Sequence, residues 1–207
     1  MEKEDFKKEV LPHQEEGIPI DTEKTIDFNN EDEAAAFYQK AKDRLLNVNN
    51  WHEIAGKLTA EFSLRDSDGK PVNRTAKKGD YFKIDIPGPG TSGGGGYDWI
   101  RIEEFTEEQE PGFESVGFTV RPAQNPEKPT ESVSHFFSPE STSTFTVCRK
   151  KNSVTAGIYD RNTKPNPSGD TVPDKIRNAV IGTFGVGGGA KLQWESLASA
   201  IIKNEEK

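Results

Sequence analysis

The spacing of the apolar residues changes partway along the chain, and this change limits the folds that the chain can adopt. Over residues 31–46 the apolar side chains recur every three or four positions, which is the spacing of one helix face. Asn30 and Glu33, in front of this segment, resemble a capping box. Over residues 58–64 apolar and polar side chains alternate, which is the period of a half-buried strand. The sequence therefore predicts a helix followed by a sheet.

The alternating period recurs further along the chain, with turn residues between the segments. Strands are predicted at about residues 58–64, 80–86, 97–105, 114–121, 143–149 and 153–160, the last two as a hairpin around Lys150-Lys151-Asn152. Helical spacing returns between Trp194 and Ile202, and the glycines at 185–189 interrupt that C-terminal helix. We therefore expect an α+β fold, with an antiparallel sheet of about six strands, an N-terminal helix and a broken C-terminal helix.

The net charge is concentrated at the N-terminal end of the chain. Residues 1–33 hold twelve acidic and four basic side chains, which equals the whole formal charge of −8, while the remaining 23 acidic and 23 basic side chains cancel. We expect residues 1–28 to form an acidic, poorly ordered arm and residues 29–207 to form a single domain. A neutral body lacks the basic field that nucleic-acid binding requires, so no nucleic-acid partner is predicted.

The chain lacks the sequence signals of export and of membrane insertion. Cys148 is the one cysteine, so no intramolecular disulfide can form. The first residues contain no apolar run typical of a signal peptide, and no segment approaches the roughly 18 apolar residues of a membrane span. We expect a cytoplasmic protein that does not insert into membranes.

Two glycine-rich segments match known motifs only in part. Gly90–Gly94 has the G-x-S-x-G form of a nucleophile elbow, but prolines precede Ser92 and a strand follows it, so no helix can begin there. Gly185–Ala190 matches a loose dinucleotide-binding pattern, but no βαβ unit fits between it and Lys207. A mobile loop over residues 87–96 and a helix break at 185–189 are the predictions that remain.

The acidic and metal-ligating side chains do not form a recognisable site in the sequence. Asp66–Gly69 lacks the later ligands of a calcium loop and predicts a turn. The three histidines, His13, His52 and His135, are too scattered for a metal site. A catalytic pair of Cys148 and His135 is an alternative, but a lone cysteine in a strand is more often a small buried apolar residue. The glutamates between 103 and 110 are expected to be solvated. No catalytic residue, metal ligand or cofactor is predicted.

One group of side chains after the glycine-rich loop is a candidate binding surface. Tyr97, Trp99, Arg101 and Glu103 share one face of a predicted strand, and isoleucines occupy the other. If the isoleucines face the core, the opposite face presents two aromatic rings and a guanidinium group, a composition typical of contact surfaces. The alternative is that another strand or the C-terminal helix covers these rings. We assign these four residues as candidate ligand-binding residues.

The order of elements resembles that of the helix-grip superfamily, which includes the START lipid-transfer domains, the birch-pollen allergen and the polyketide cyclases. The resemblance covers residues 25–202: a short first strand at 25–28, the helical segment at 34–51, the strands, and the closing helix at 173–202. It concerns architecture, and no sequence motif supports it. The resemblance implies a curved antiparallel sheet around a hydrophobic cavity that binds an apolar small molecule.

Three functions are compatible with these observations. The first is non-enzymatic binding of an apolar small molecule between the sheet and the C-terminal helix, with residues 87–96 near the cavity mouth. The second is a protein–protein interaction module that uses the acidic arm and the face with Tyr97 and Trp99. The third is a cyclase-like or hydrolase-like enzyme, which the lack of a coherent acid–base set disfavours.

Overall fold

The computed structural model describes residues 10–56, 60–86, 91, 93–128, 133–166 and 189–205. Within these residues lie seven β-strands, three α-helices and one 3₁₀ turn. The strands are β1 (Ile18–Asp27), β2 (Glu61–Arg65), β3 (Tyr81–Asp85), β4 (Asp98–Glu110), β5 (Phe113–Pro122), β6 (Thr142–Lys150) and β7 (Ser153–Thr163). The helices are α1 (Glu31–Leu46), α2 (Trp51–Ala55) and α3 (Ala190–Ile201), with the 3₁₀ turn at Val48–Asn50. None of these helices is long and apolar enough to cross a membrane.

The strands form one curved, open antiparallel sheet in the order β1-β7-β6-β5-β4-β3-β2. From β2 to β7 each strand pairs with its neighbour in sequence, while β1 pairs with β7. The helices pack on the concave face, so the protein has a two-layer α+β architecture. The prediction of an α+β fold with an antiparallel sheet is confirmed.

Strand β1 is not among the six strands that the alternating pattern predicts. It lies inside the segment that the sequence predicts to be a poorly ordered arm. It pairs with β7 from Ile18 to Asp27, so the prediction of disorder is wrong for these residues. Their acidic side chains find partners on β7: Tyr159 donates to Glu23 over 2.7 Å, and Arg161 donates to Asp21 over 2.5 Å. Charge that indicated a solvated arm is instead compensated across the strand pair.

Helix α1 has the predicted bounds and the predicted cap. The Asn30 side chain accepts a 2.9 Å hydrogen bond from the backbone N–H of Glu33, and its amide donates to the Glu33 carboxylate over 2.8 Å. The apolar stripe of α1 is buried on the concave face, as its spacing predicts: Ala34, Phe37, Ala41 and Leu45 are each at most 5% exposed.

The core lies between the concave face and the helices, and Trp51 of α2 is at its centre. Its ring contacts Phe62, Phe82, Phe118 and Phe145, with centroid distances of 5.4, 5.7, 6.4 and 5.1 Å. Its indole N–H donates to two carbonyls in the last turn of α1, so this buried polar group is satisfied. One end of the concave face is therefore filled by aromatic side chains.

Strand β4 continues further than predicted, through the glutamates that suggested a solvated connection. It runs to Glu110, paired with β5 throughout apart from an irregularity after Ile102. Basic side chains accompany the glutamates: Glu103 pairs with Arg121, Glu104 with Lys78, and Glu107 with Lys42. These exposed ion pairs lower the repulsion between neighbouring carboxylates, which makes the longer strand tolerable.

Candidate functional site

A cavity of about 310 Å³ lies between the concave face of the sheet and the N-terminal end of α3. Ligand pockets in proteins usually occupy roughly 300–1,000 Å³, so this cavity suits a small molecule. Its lining residues are Ala60, Phe62, Ile84, Ile86, Ile100, Val120, Pro122, His135, Phe136, Phe137, Ser141, Thr142, Ser143, Phe145, Thr163, Gly189, Ala190, Gln193 and Trp194. Strands β2 to β7, residues 135–137 and α3 all contribute to it.

The space exists because small residues line this end of the concave face. Trp51 packs among Phe82, Phe118 and the inner sides of Phe62 and Phe145, while the cavity beyond Phe62 and Phe145 is also bordered by the small residues Ala60, Ser143, Gly189 and Ala190. A void next to apolar walls loses dispersion contacts and costs stability unless a ligand occupies it.

Aromatic rings form much of the apolar wall. The Trp194 ring is 5.3 Å from the Phe145 ring and 6.3 Å from the Phe62 ring, measured between centroids. The Phe136 and Phe137 rings, which also belong to the lining, have centroids 4.3 Å apart and are tilted by 48° to each other. These rings provide flat surfaces on which an aromatic or alicyclic ligand can pack.

A buried carboxyl group lies directly behind the cavity wall. Asp160 of β7 is 1% exposed and is paired in register with Ser143 of β6. Its two oxygens accept hydrogen bonds from the Ser143 hydroxyl (2.6 Å) and from the Trp194 indole N–H (2.8 Å). Burial raises the pKa of Asp160 to about 6, although both hydrogen bonds and the nearby Arg161 favour the charged form.

His135 lies in the segment that closes the end of the cavity. This segment runs antiparallel to residues 164–166, with backbone hydrogen bonds between them and a 3.0 Å bond from the Asn166 amide to the His135 carbonyl. The His135 Nδ1 accepts a 2.9 Å hydrogen bond from the backbone N–H of Phe137. This bond assigns the proton of the neutral imidazole to Nε2.

The four candidate residues from the sequence lie on the convex face and do not line the cavity. Trp99 is 1% exposed, and its indole N–H donates to the Gly94 carbonyl over 3.0 Å. Lys83 places its ammonium group 3.4 Å from the centre of the Tyr97 ring. Arg101 is exposed, and Glu103 accepts a 2.8 Å hydrogen bond from Arg121. A ligand-binding role for these residues stays a prediction.

The convex position of these residues follows from the strand alternation that the sequence shows. Ile100 and Ile102 are in the core on the concave side, as predicted. Of the two alternatives for this face, the covered one holds for Trp99: its ring is buried, and its indole and backbone N–H groups bond the Gly94 and Ser134 carbonyls. Half of the predicted mobile loop, residues 87–90 and 92, lies outside the described residues.

The proximity of Ser143, Asp160 and Trp194 around a cavity was not predicted from the sequence. One signal was available. The inward positions of β7 read Val154, Ala156, Ile158 and then Asp160, so a carboxyl group interrupts an apolar series. Such an acid on the buried face needs partners or a shifted pKa, and either property marks a candidate site.

The remaining sequence motifs agree with structural roles where the structure describes them. Asp66 accepts hydrogen bonds from the backbone N–H groups of Asp68 and Lys70, and Gly69 has a φ of 83°, which confirms a turn. Cys148 packs with Phe113 and Val10 in a small cluster separate from the main core, and it does not line the cavity. Within the described residues, no group of three or more His, Cys, Asp or Glu side chains could hold a metal ion. Ser92 and Gly185–Gly188 lie outside the described residues.

Comparisons with known proteins give likeness of fold only. No protein-family model matches the sequence, and no curated protein matches it. Among solved structures, a hypothetical protein of Helicobacter pylori is similar with a TM-score of 0.46 and 12% identity, covering 93% of this chain and 92% of that one. Truncated norcoclaurine synthase of Thalictrum flavum is similar with a TM-score of 0.38 and 6% identity, covering 94% of this chain and 100% of that one. A major latex-like protein of Panax ginseng is similar with a TM-score of 0.34 and 11% identity, covering 85% of this chain and 97% of that one.

These likenesses are too weak to carry a functional argument, so the architecture is judged from the topology. A curved antiparallel sheet faces a C-terminal helix, and two helices connect β1 to β2. This arrangement agrees with the helix-grip type of fold that the element order resembles.

Proposed function

We propose that the protein is a non-enzymatic binder of a small, mostly apolar molecule, which occupies the cavity between the sheet and α3. The observation that carries this proposal is a void of about 310 Å³ with largely apolar walls and a few polar groups at one side. Binding pockets for small molecules have this composition, because apolar walls supply affinity and a few polar groups set the orientation.

The walls favour a compact ring-containing ligand over a long flexible chain. The Phe62, Phe145 and Trp194 rings and residues 136–137 surround the space from several sides. A rigid ligand loses little conformational entropy on entering such a space. We expect micromolar dissociation constants for suitable probes, equivalent to about −8 kcal/mol.

The tryptophans provide an internal control for a binding experiment. Trp194 lines the cavity, whereas Trp99 lies on the convex face with its indole N–H bonded to Gly94. On titration with 1-methylnaphthalene, the Trp194 indole N–H signal in a ¹⁵N–¹H spectrum should shift in a saturable manner. The Trp99 signal should stay in place. A shift of Trp99 alone, or no saturable shift, contradicts the proposal.

A cavity-filling substitution distinguishes binding in the cavity from binding to other apolar surfaces of the protein. Ala190→Phe places a ring at the N-terminal end of α3, where the alanine lines the cavity. We expect this variant to bind 1-methylnaphthalene at least tenfold more weakly. Its free energy of unfolding should not be lower than that of the wild type, since the new ring occupies empty space. The control is Ala36→Phe, which adds the same ring on the exposed side of α1 and should bind normally.

A further inference from the structure

The Ser143 hydroxyl is oriented by a buried acid. Ser143 is half-buried and lines the cavity, and its Oγ lies 2.6 Å from Oδ1 of Asp160. Because an ionised carboxylate only accepts hydrogen bonds, the serine proton must point to Asp160. The serine oxygen then has its lone pairs available on the cavity side. The wall therefore presents a hydrogen-bond acceptor at this point.

Negative charge lies behind that acceptor. No described lysine or arginine forms an ion pair with the Asp160 carboxylate. The neighbouring Arg161 directs its guanidinium group to Asp21 on β1 and to the backbone carbonyl of Asp160. The carboxylate is balanced by two neutral donors, Ser143 and Trp194, and its charge acts through a medium of low dielectric constant.

We propose that the cavity selects small apolar molecules that carry a hydrogen-bond donor, above all a protonated amine, and that the Ser143 oxygen and the Asp160 charge receive this donor. This inference rests on the binding function proposed above and adds the chemical class of the ligand. A protonated amine gains a hydrogen bond to Ser143 and attraction to Asp160. A carboxylate ligand meets an acceptor and a like charge, and both disfavour it.

The aromatic wall supports the same selection. Trp194 donates its indole N–H to Asp160, and its ring lines the cavity. Asp160 thereby fixes the position of this indole in the cavity wall. The face of an aromatic ring attracts cations, so a cationic group that packs on the Trp194 face is favoured in the same direction as by the Asp160 charge.

The test uses four probes that share one apolar body and differ in a single group: 1-naphthylmethylamine, 1-naphthalenemethanol, 1-methylnaphthalene and 1-naphthoic acid. At about pH 8 the amine is protonated, the acid is ionised and Asp160 is ionised, since its pKa is about 6. We expect the amine to bind about tenfold more tightly than 1-methylnaphthalene and the acid to bind more weakly than 1-methylnaphthalene, with the alcohol intermediate.

Two variants locate the cause of this order. Asp160→Asn removes the charge, so the ratio of the affinity for the amine to the affinity for the acid should fall at least tenfold. The matched control, Asp85→Asn, removes an exposed charge on β3 and should keep the order. Ser143→Ala keeps the charge and removes the acceptor, so the affinities of the amine and the alcohol should both fall.

The outcomes distinguish this inference from the binding function itself. If 1-methylnaphthalene binds in the cavity but the acid binds as tightly as the amine, the inference is overturned and the binding function stands. An amine preference that persists in Asp160→Asn also overturns it. If none of the four probes binds, both proposals are overturned. Should Asp160→Asn fail to fold, the wild-type order and Ser143→Ala decide the question.

Discussion

The carboxyl group of Asp160 connects the sheet, α3 and the cavity wall. Its partners come from three elements: its own position is on β7, Ser143 is on β6 and Trp194 is on α3. A buried carboxylate costs free energy unless its hydrogen bonds compensate for lost hydration. Here the compensation is incomplete, as the raised pKa of Asp160 indicates.

This carboxyl group should make stability depend on pH in a defined direction. Because the pKa of Asp160 rises from 3.8 to about 6 on folding, the folded state binds the proton more tightly than the unfolded state. The stabilisation from protonated Asp160 is therefore fully present below about pH 4 and is lost as the pH rises through about 6. Above that pH the free energy of unfolding is lower by about 3 kcal/mol than it is with Asp160 protonated.

The corresponding measurement compares urea unfolding of the wild type and of Asp160→Asn between about pH 4 and pH 8. From pH 4 to pH 8 the free energy of unfolding of the wild type should fall relative to that of the variant by up to about 3 kcal/mol. Arg161 and Asp21, the charged groups nearest Asp160, are unchanged in the variant. Parallel curves for the two proteins would show that Asp160 does not titrate in this window.

At the scale of elements, α3 is fixed at both ends by side chains of other elements. At its C-terminal end, Arg44 of α1 donates to the carbonyls of Ile201 and Lys203 over 3.1 and 2.6 Å. A cation at this end satisfies free carbonyls and opposes the helix dipole. Towards its N-terminal end, Trp194 bonds Asp160. The helix is thereby held across the sheet with the cavity under its first turns.

Removing the Trp194 side chain should release this helix. Trp194→Ala loses the ring contacts with Phe62 and Phe145, enlarges the cavity and leaves one Asp160 oxygen without its donor, so we expect a loss of about 3–5 kcal/mol. Trp194→Phe keeps most of the packing and loses the hydrogen bond, which should cost about 1–3 kcal/mol. Urea unfolding measures both. A near-neutral alanine variant would mean that α3 contributes little to the fold.

Much of the element pattern was predictable from the sequence, for a local reason. Helix α1 has the predicted bounds, and the β6–β7 hairpin turns at Lys151, because period and turn residues are properties of neighbouring positions. The cavity was not predictable in this way. It depends on residues that are far apart in sequence, such as Ala60 and Ala190, lining the same space. The covering of Trp99 likewise depends on loop residues that carry no periodic signal.

At the scale of the whole molecule, the first strand completes the sheet beside the last one. β1 and β7 pair along their whole lengths, and α3 packs against both. The sequence concealed this pairing because only three of the ten residues of β1 are large apolar ones and four are charged, namely Asp21, Glu23, Lys24 and Asp27. Without β1, the hydrogen-bonding edge of β7 and the inward side of α3 would be exposed to water.

The N-terminal region should therefore be essential for folding, which is not expected of a poorly ordered arm. Removal of residues 1–27 deletes β1, and we expect a loss of more than about 5 kcal/mol, most of the stability of a typical domain. Removal of residues 1–17 keeps β1 and loses contacts such as the hydrogen bonds from Glu15 and Glu16 to Asn162. This shorter truncation should cost about 1–3 kcal/mol. Equal stability of both truncations, measured by urea unfolding, contradicts the role assigned to β1.

The pairing of β1 with β7 also sets a condition on synthesis of the chain by the ribosome. Asp27 and its partner Ser153 are 126 residues apart, and translation at about 5–20 residues per second separates their emergence by roughly 6–25 s. During this interval β1 has no strand to join. Asp21, Glu23, Lys24 and Asp27 interrupt its apolar residues, and such charges discourage association with other nascent chains. The acidic composition that conceals the strand thus protects it until its partner has been made.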